Sequence, residues 1–237
     1  MLTRIIGNDL APRHRPGQSR ANLAFILAHE PDLAACEKRW VVNRILDPEE
    51  EARILDLLAA HDQTVLHLPF DTDAFARAGW STHLLPDPEL LAGPDLARLD
   101  ARARERLALA LPRDRHAALM HNNGGRNAAL ADGRGQARWI LPWDGNCFVT
   151  EPAWTALRAA VAAEPWRPAF TVPMARITDN TALLAPGFTP EATEEPQIVL
   201  RSDTDLAFDP AFVYGRRPKV ELFWRLGIPG PWDAWSD

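Results

Sequence analysis

The sequence predicts an α/β fold: one open, mostly parallel sheet flanked by helices, Rossmann-like in plan, with a segment inserted at about residues 69–115. Three observations lead there. Short apolar runs of strand length alternate with helix-length amphipathic stretches through the first 70 residues. The composition is that of a globular chain, 46% hydrophobic and 24% charged over 237 residues, which is enough for a single substantial domain. A second strand–helix alternation follows after residue 120, so the sheet continues beyond the insertion.

Arg4–Ile6 is a short strand that exits through Gly7-Asn8-Asp9. Pro12, Arg13, His14, Arg15 and Pro16 make an irregular basic loop. Gln18–His29 reads as a helix with Leu23, Ile26 and Leu27 on one side. Lys38–Ile45 is the second strand, built on Trp40, Val41 and Val42. Asp47 then caps a helix that has Pro48 just inside it and Glu49–Glu51 in its first turn, with Ile54, Leu55, Leu57 and Leu58 as its apolar stripe. Thr64–Leu68 alternates and forms the third strand. This spacing gives parallel neighbours joined by right-handed crossovers. Residues 69–115 fit least well: a Pro- and Leu-rich stretch, then a helix over 95–111 with paired charges. They form an insertion, read as a structural flank, a lid, an acceptor surface or a dimer contact.

The densest chemistry lies in residues 121–154, HNNGGRNAALADGRGQARWILPWDGNCFVTEPAW. HNNGGRN reads as a polar turn, Asn127–Gly133 as a short helix and Ala137–Leu141 as a buried strand. Asp144-Gly145-Asn146 is a sharp turn, and another helix starts near Glu151–Pro152. A buried strand ending in Asp-Gly-Asn presents two oxygen-bearing side chains at its carboxyl end, where open α/β sheets hold ligands. Asp144 and Asn146 are hard ligands suited to Mg²⁺ or Mn²⁺. Gly145 leaves the backbone open to a phosphate, and Asn123 and Arg126 sit beside the same ligand. The other reading of Asp-Gly-Asn is a plain tight turn.

After this stretch, Trp154–Ala163 is helical and Trp166–Met174 is a strand. Ala175 to Asn180 is polar. Thr193-Glu194-Glu195-Pro196-Gln197 leads into a strand over Ile198–Leu200. Arg216, Arg217 and Lys219 form a basic group ahead of a helix through Leu226. They are suited to clamping a diphosphate or simply begin a surface helix. Trp232 and Trp235 either stack on a sugar or cover the core.

The order Gly125-Arg126-Asn127-Ala128, helix, strand, Trp143-Asp144-Gly145-Asn146 resembles the A-type-fold glycosyltransferases, especially the large inverting family-two-like group, which carry G-x-x-x-A-R-N-x-A/G, a helix, a strand and an Asp-x-Asp turn. Asn146 departs from that pattern, standing where a second Asp is usual and bringing one less negative charge. The resemblance implies a nucleotide-diphosphate sugar donor, with UDP as the expected carrier, and a divalent metal, Mn²⁺ or Mg²⁺, on Asp144 and Asn146. It implies donor contacts from Gly7 and Asp9 at the end of the first strand, from Asn43 at the end of the second, and from Asn123, Arg126 and Asp144; Arg216 and Arg217 are donor-contact candidates on their own chemistry. It also implies a carboxylate base after the metal turn, for which Glu194 and Glu195 match in order and kind. Asp179, Asp203 and Asp205 compete for that role, and the acidic pair is equally read as a solvated loop. On the same basis residues 1–150 form the nucleotide-sugar half and 151–237 the acceptor half.

The expected activity is therefore metal-assisted, inverting sugar transfer to a saccharide or glycan hydroxyl, as in polysaccharide biosynthesis. A sugar-nucleotide-forming nucleotidyltransferase and a non-catalytic sugar-nucleotide- or glycan-binding domain are the alternatives. With a net charge of −6 and no basic block, nucleic acid is not an expected partner. No apolar run is long enough to span a membrane, and MLTRIIGNDLAPRH has no secretory core, so a cytoplasmic location is expected, with oligomerisation left open. Cys36 and Cys147 have neither metal spacing nor an implied disulfide, and Cys147 reads as a buried small hydrophobe.

Overall fold

A computed structural model describes residues 1–9, 14–73, 98–103, 120–212 and 218–230. Six strands form one sheet: β1 (Leu2–Ile6), β2 (Lys38–Asn43), β3 (Thr64–Leu68), β4 (Trp139–Asp144), β5 (Ala169–Met174) and β6 (Glu194–Arg201). The helices are α1 (Gln18–His29), α2 (Pro48–Ala60), α3 (Asn122–Gly133), α4 (Glu151–Ala163) and α5 (Val220–Arg225), with a 3-10 turn at Asn180–Leu184. The strand order is β3-β2-β1-β4-β6-β5. β1 pairs in parallel with β2 and β4, and β2 with β3, whereas β6 runs antiparallel to both β4 and β5. The expected mostly parallel α/β sheet is present. Residues 74–97 and 104–119, most of the expected insertion, lie outside the described residues, as do Arg216, Arg217, Trp232 and Trp235.

The alternation of side chains along the buried strands sorts the helices into two layers. Ile6, Trp40 and Val42 pack with Leu23 and Ile26 of α1 and Ile54 and Leu58 of α2. Ile5 and Val41, one residue out of phase, meet Ala129 of α3 on the opposite face. Leu130, Ile140, Ile198, Val220 and Phe223 extend that second layer to α5. Trp154 and Leu157 of α4 pack against the cluster of Leu141, Trp143 and Val199. At the start of α2, Asp47 accepts hydrogen bonds from the Glu49 and Glu50 N–H groups, as expected of a cap.

Three of the boundaries that differ from expectation do so for a tertiary reason. The helix expected at Asn127 starts at Asn122, because Gly124 and Gly125 are helical rather than a turn. A Cβ on Gly125 would stand 2.9 Å from Ile5 and 3.3 Å from Asn43, so the missing side chain lets α3 lie against β1 and β2. β4 runs on through Pro142 to Asp144. Leu141 donates its N–H to the Met1 carbonyl on the β1 side, so Pro142 turns its donor-less nitrogen toward β6. The β4–β6 ladder is accordingly confined to Trp139 and Ile140, and the Trp143 indole donates instead to the Ile198 carbonyl. Finally, β6 begins at Glu194 rather than Ile198. Val172 pairs with Gln197 and Met174 with Glu194, so β6 carries one extra residue there, a bulge at Glu195–Pro196.

Candidate functional site

The strand order reverses between β1 and β4, and such a switch point opens a crevice at the carboxyl ends of the parallel strands. Asp144 is the last residue of β4 and stands on that edge. Because β6 runs the other way, its first residues, Glu194 to Gln197, arrive at the same edge. The first turn of α3 meets it from the second layer.

Asp144 is the centre of a charge network. Arg126 donates from Nη2 to Oδ1 at 2.6 Å, Gln197 donates from Nε2 to Oδ2 at 2.9 Å, and Lys219 Nζ lies 3.3 Å from Oδ2. Arg126 is itself buried and held from behind: Nη1 donates to Asn123 Oδ1 at 2.8 Å, and the guanidinium lies 5.5 Å from the centre of the Phe208 ring. Asn123 in turn donates to the carbonyls of Asp209, Phe212 and Pro218, tying α3 to the segment that leads into α5. Burial alone raises the Asp144 pKa, but the Lys219 and Arg126 cations and the Gln197 amide overturn that and hold the carboxyl well below the usual carboxylate range. Asp144 is thus favoured in its ionised form, oriented by its partners and, with its side chain 35% exposed, still open to the crevice.

The bulge separates the two glutamates of the expected acidic pair. Glu195 lies 3.3 Å from Lys219 Nζ and joins the network, while Glu194 makes a two-pronged pair with Arg176 at 3.0 and 2.8 Å. Of the competing carboxylates, Asp179 caps the 3-10 turn through Thr181, and Asp203 pairs with Arg201 beyond the far end of β6. Asp205 follows on that same far side.

The residues expected at the ends of β1 and β2 serve mainly as struts. Asp9 accepts from the N–H and hydroxyl of Ser19 and so holds the first turn of α1. Asn43 is fully buried and donates to the Met120 carbonyl at 2.8 Å. Its neighbour Asn8, not singled out from the sequence, joins the two loops: it donates to the Arg44 carbonyl and accepts the Leu46 N–H. A Cβ on Gly7 would be accommodated, in ordinary contact with Met120 at 3.8 Å. Gly145 has no such room. A Cβ there would stand 2.6 Å from the Ile5 carbonyl oxygen, so the bare backbone faces β1 rather than a phosphate.

No family model, curated protein or solved structure matches the chain. The reading of the site therefore rests on its own chemistry.

The donor set at Asp144 does not fit a divalent cation. Its carboxylate already faces two cations and an amide donor, and a divalent ion would be repelled by the same ammonium and guanidinium. Asn146 is exposed and neutral, and among the described residues no group of three His, Cys, Asp or Glu side chains is placed to hold a metal. What the arrangement offers instead is a fixed anionic acceptor with a second carboxylate, Glu195, across one shared ammonium. Cys147 adds no nucleophile: burial, and then the Asp144 charge, push its thiol up to about 12.

Lys219 and Gln197 are the residues that sequence reasoning weighed least well. Gln197 looked like a strand lead-in. Lys219 was grouped with Arg216 and Arg217 as a phosphate clamp, although the chain has only two lysines, Lys38 and Lys219, against an abundance of arginine. Both lysines sit in ion pairs, Lys38 with the buried Glu30 and Lys219 with the partly exposed Asp144 and Glu195.

Proposed function

We propose that this chain is an A-type glycosyltransferase domain that moves a sugar from a nucleotide-diphosphate donor, UDP-linked in the first instance, to a saccharide hydroxyl with inversion. The observation that carries the reading is Asp144: an ionised, partly exposed carboxylate at the end of the fourth strand, beside the switch point, oriented by Arg126 from the preceding helix. This is the residue order by which the sequence resembles that group. Asp144 accepts hydrogen bonds from donor hydroxyls or N–H groups, which Oδ1 can do beside its single bond from Arg126.

Glu195 is the base in this reading, and Glu194 is not. Glu195 joins the Asp144 network, whereas both Glu194 oxygens are engaged by Arg176. Glu195 takes the acceptor hydroxyl proton as the sugar transfers.

A panel of nucleotide sugars is incubated with oligosaccharide acceptors, and released phosphate species are quantified. Nucleoside diphosphate released with a glycosylated product, lost in Glu195→Gln, supports sugar transfer. Pyrophosphate release points to nucleotidyl transfer instead. Nucleotide binding without release of either leaves a binding domain and ends the enzymatic reading.

A further inference from the structure

We infer that the donor site works without a divalent cation, the ammonium of Lys219 standing between the carboxylates of Asp144 and Glu195. The inference rests on the donor-site reading above. A diphosphate approaching Asp144 and Glu195 meets two negative charges, and a positive charge must offset them. Lys219 Nζ supplies one from a shared position, 3.3 Å from Asp144 Oδ2 and 3.3 Å from Glu195 Oε1, with the Pro196 carbonyl as its third partner at 3.2 Å. Two of its donors are hydrogen-bonded, to Asp144 and to the Pro196 carbonyl, and Glu195 is held by charge. Arg126 supplies the second charge at Asp144 Oδ1.

Two features mark this as a built arrangement rather than a surface lysine leaning on nearby acids. Lys219 is buried, its side chain only 6% exposed, and Arg126 is 2% exposed. The side chains are also fixed from three separate elements: Arg126 by Asn123 on α3, Gln197 and Glu195 by the β6 bulge, and Lys219 by its place at the start of α5. Among the described residues the network is formally neutral, two carboxylates against two cations, so these side chains offset their own negative charge without an added cation. Lys219 acts through Asp144 and Glu195 and is a positioning residue.

The test uses the full chain. Free Mn²⁺ is followed by electron paramagnetic resonance as metal alone is titrated in, and the affinities of UDP, GDP, ADP, CDP and dTDP are measured calorimetrically with Mn²⁺ and with EDTA. The expected result is no stoichiometric Mn²⁺ uptake and nucleotide affinity unchanged by EDTA. In Lys219→Met, two unbalanced carboxylates face the diphosphate. Affinity should fall about tenfold in EDTA, the contribution of roughly one charged contact, and Mn²⁺ should restore it. Uptake of one Mn²⁺ per wild-type chain, lost in Asp144→Asn, would overturn the inference, and this needs no lysine variant to fold. If no nucleotide binds under either condition while Mn²⁺ is also refused, the donor-site reading fails and takes the inference about its charge balance with it. If nucleotide binds only with Mn²⁺, the donor site stands and the inference alone fails.

Discussion

Replacing Glu30 with leucine should destabilise the protein more than any change at the candidate site. Glu30, just past the end of α1, is 1% exposed and pairs with Arg4, which is fully buried in the middle of β1. Lys38 Nζ lies 3.0 Å from its other oxygen, an ion pair without hydrogen-bond geometry, and the Val149 N–H donates to Oε1 at 2.9 Å. The carboxylate therefore joins α1, β1, β2 and the segment after β4. Its removal leaves the Arg4 guanidinium buried with one bond, to the Cys147 carbonyl at 2.8 Å. Arg4 Nη1 already lacks a partner. Breaking a buried pair on one side costs about 3–5 kcal/mol, and the orphaned Val149 N–H adds about 1–3 kcal/mol where the two do not overlap. Taking about 4 kcal/mol in all, the melting temperature of a chain this size should fall by about 8–16 °C. Differential scanning calorimetry reads this directly. Arg4→Met combined with Glu30→Leu removes both charges, and most of the loss should return because no charge is left stranded. A single variant within about 2 °C of wild type, less than one kcal/mol, or a double variant no better than the single one, would refute the argument.

Other outcomes follow from the site. Gly145→Ala forces a Cβ against the Ile5 carbonyl 2.6 Å away and should cost about 1–3 kcal/mol in urea unfolding, whereas Gly7→Ala, with 3.8 Å of clearance, should leave stability within about 1 kcal/mol. Equal effects of the two would contradict the close approach of β4 to β1. Burial, and then the Arg44 cation, lowers the His121 pKa below its ordinary 6.5, so the unfolded chain takes up the proton more readily. The stability contributed by neutral His121 is complete above pH 6.5 and is lost as pH falls through the lowered folded value. His121→Asn, which keeps a residue type tolerant of the left-handed φ of 33°, should flatten that acid-side loss in urea midpoints. Unchanged slopes would exclude His121 as their source. Cys147, buried and with its thiol pushed up to about 12, should resist iodoacetamide at pH 8 until urea unfolds the chain. Rapid labelling of the native protein at this position would contradict its burial.

Local pattern in the sequence determined much of the architecture. Alternation of strands and helices, the Asp47-Pro48 cap and the apolar stripes of α1 and α2 lead to the parallel half of the sheet, because each depends on neighbours a few residues away. The same reasoning found Asp144 at the end of a buried strand and Arg126 beside it. Tertiary structure decided the rest. The Gly124-Gly125 pair looked like a turn because a glycine's packing role is set by what approaches it, here Ile5 and Asn43. Glu194 and Glu195 looked alike until a bulge, defined only by pairing with β5, sent one to Arg176 and the other to Lys219. Asn43 and Asp9 had side chains fit for a ligand, but the Met120 carbonyl accepts from the Asn43 amide and Ser19 donates to Asp9. The charge at Asp144 was the least legible feature. Lys219 is 75 residues away in sequence, and only the return of the chain through β6 and α5 brings its ammonium to the carboxylate.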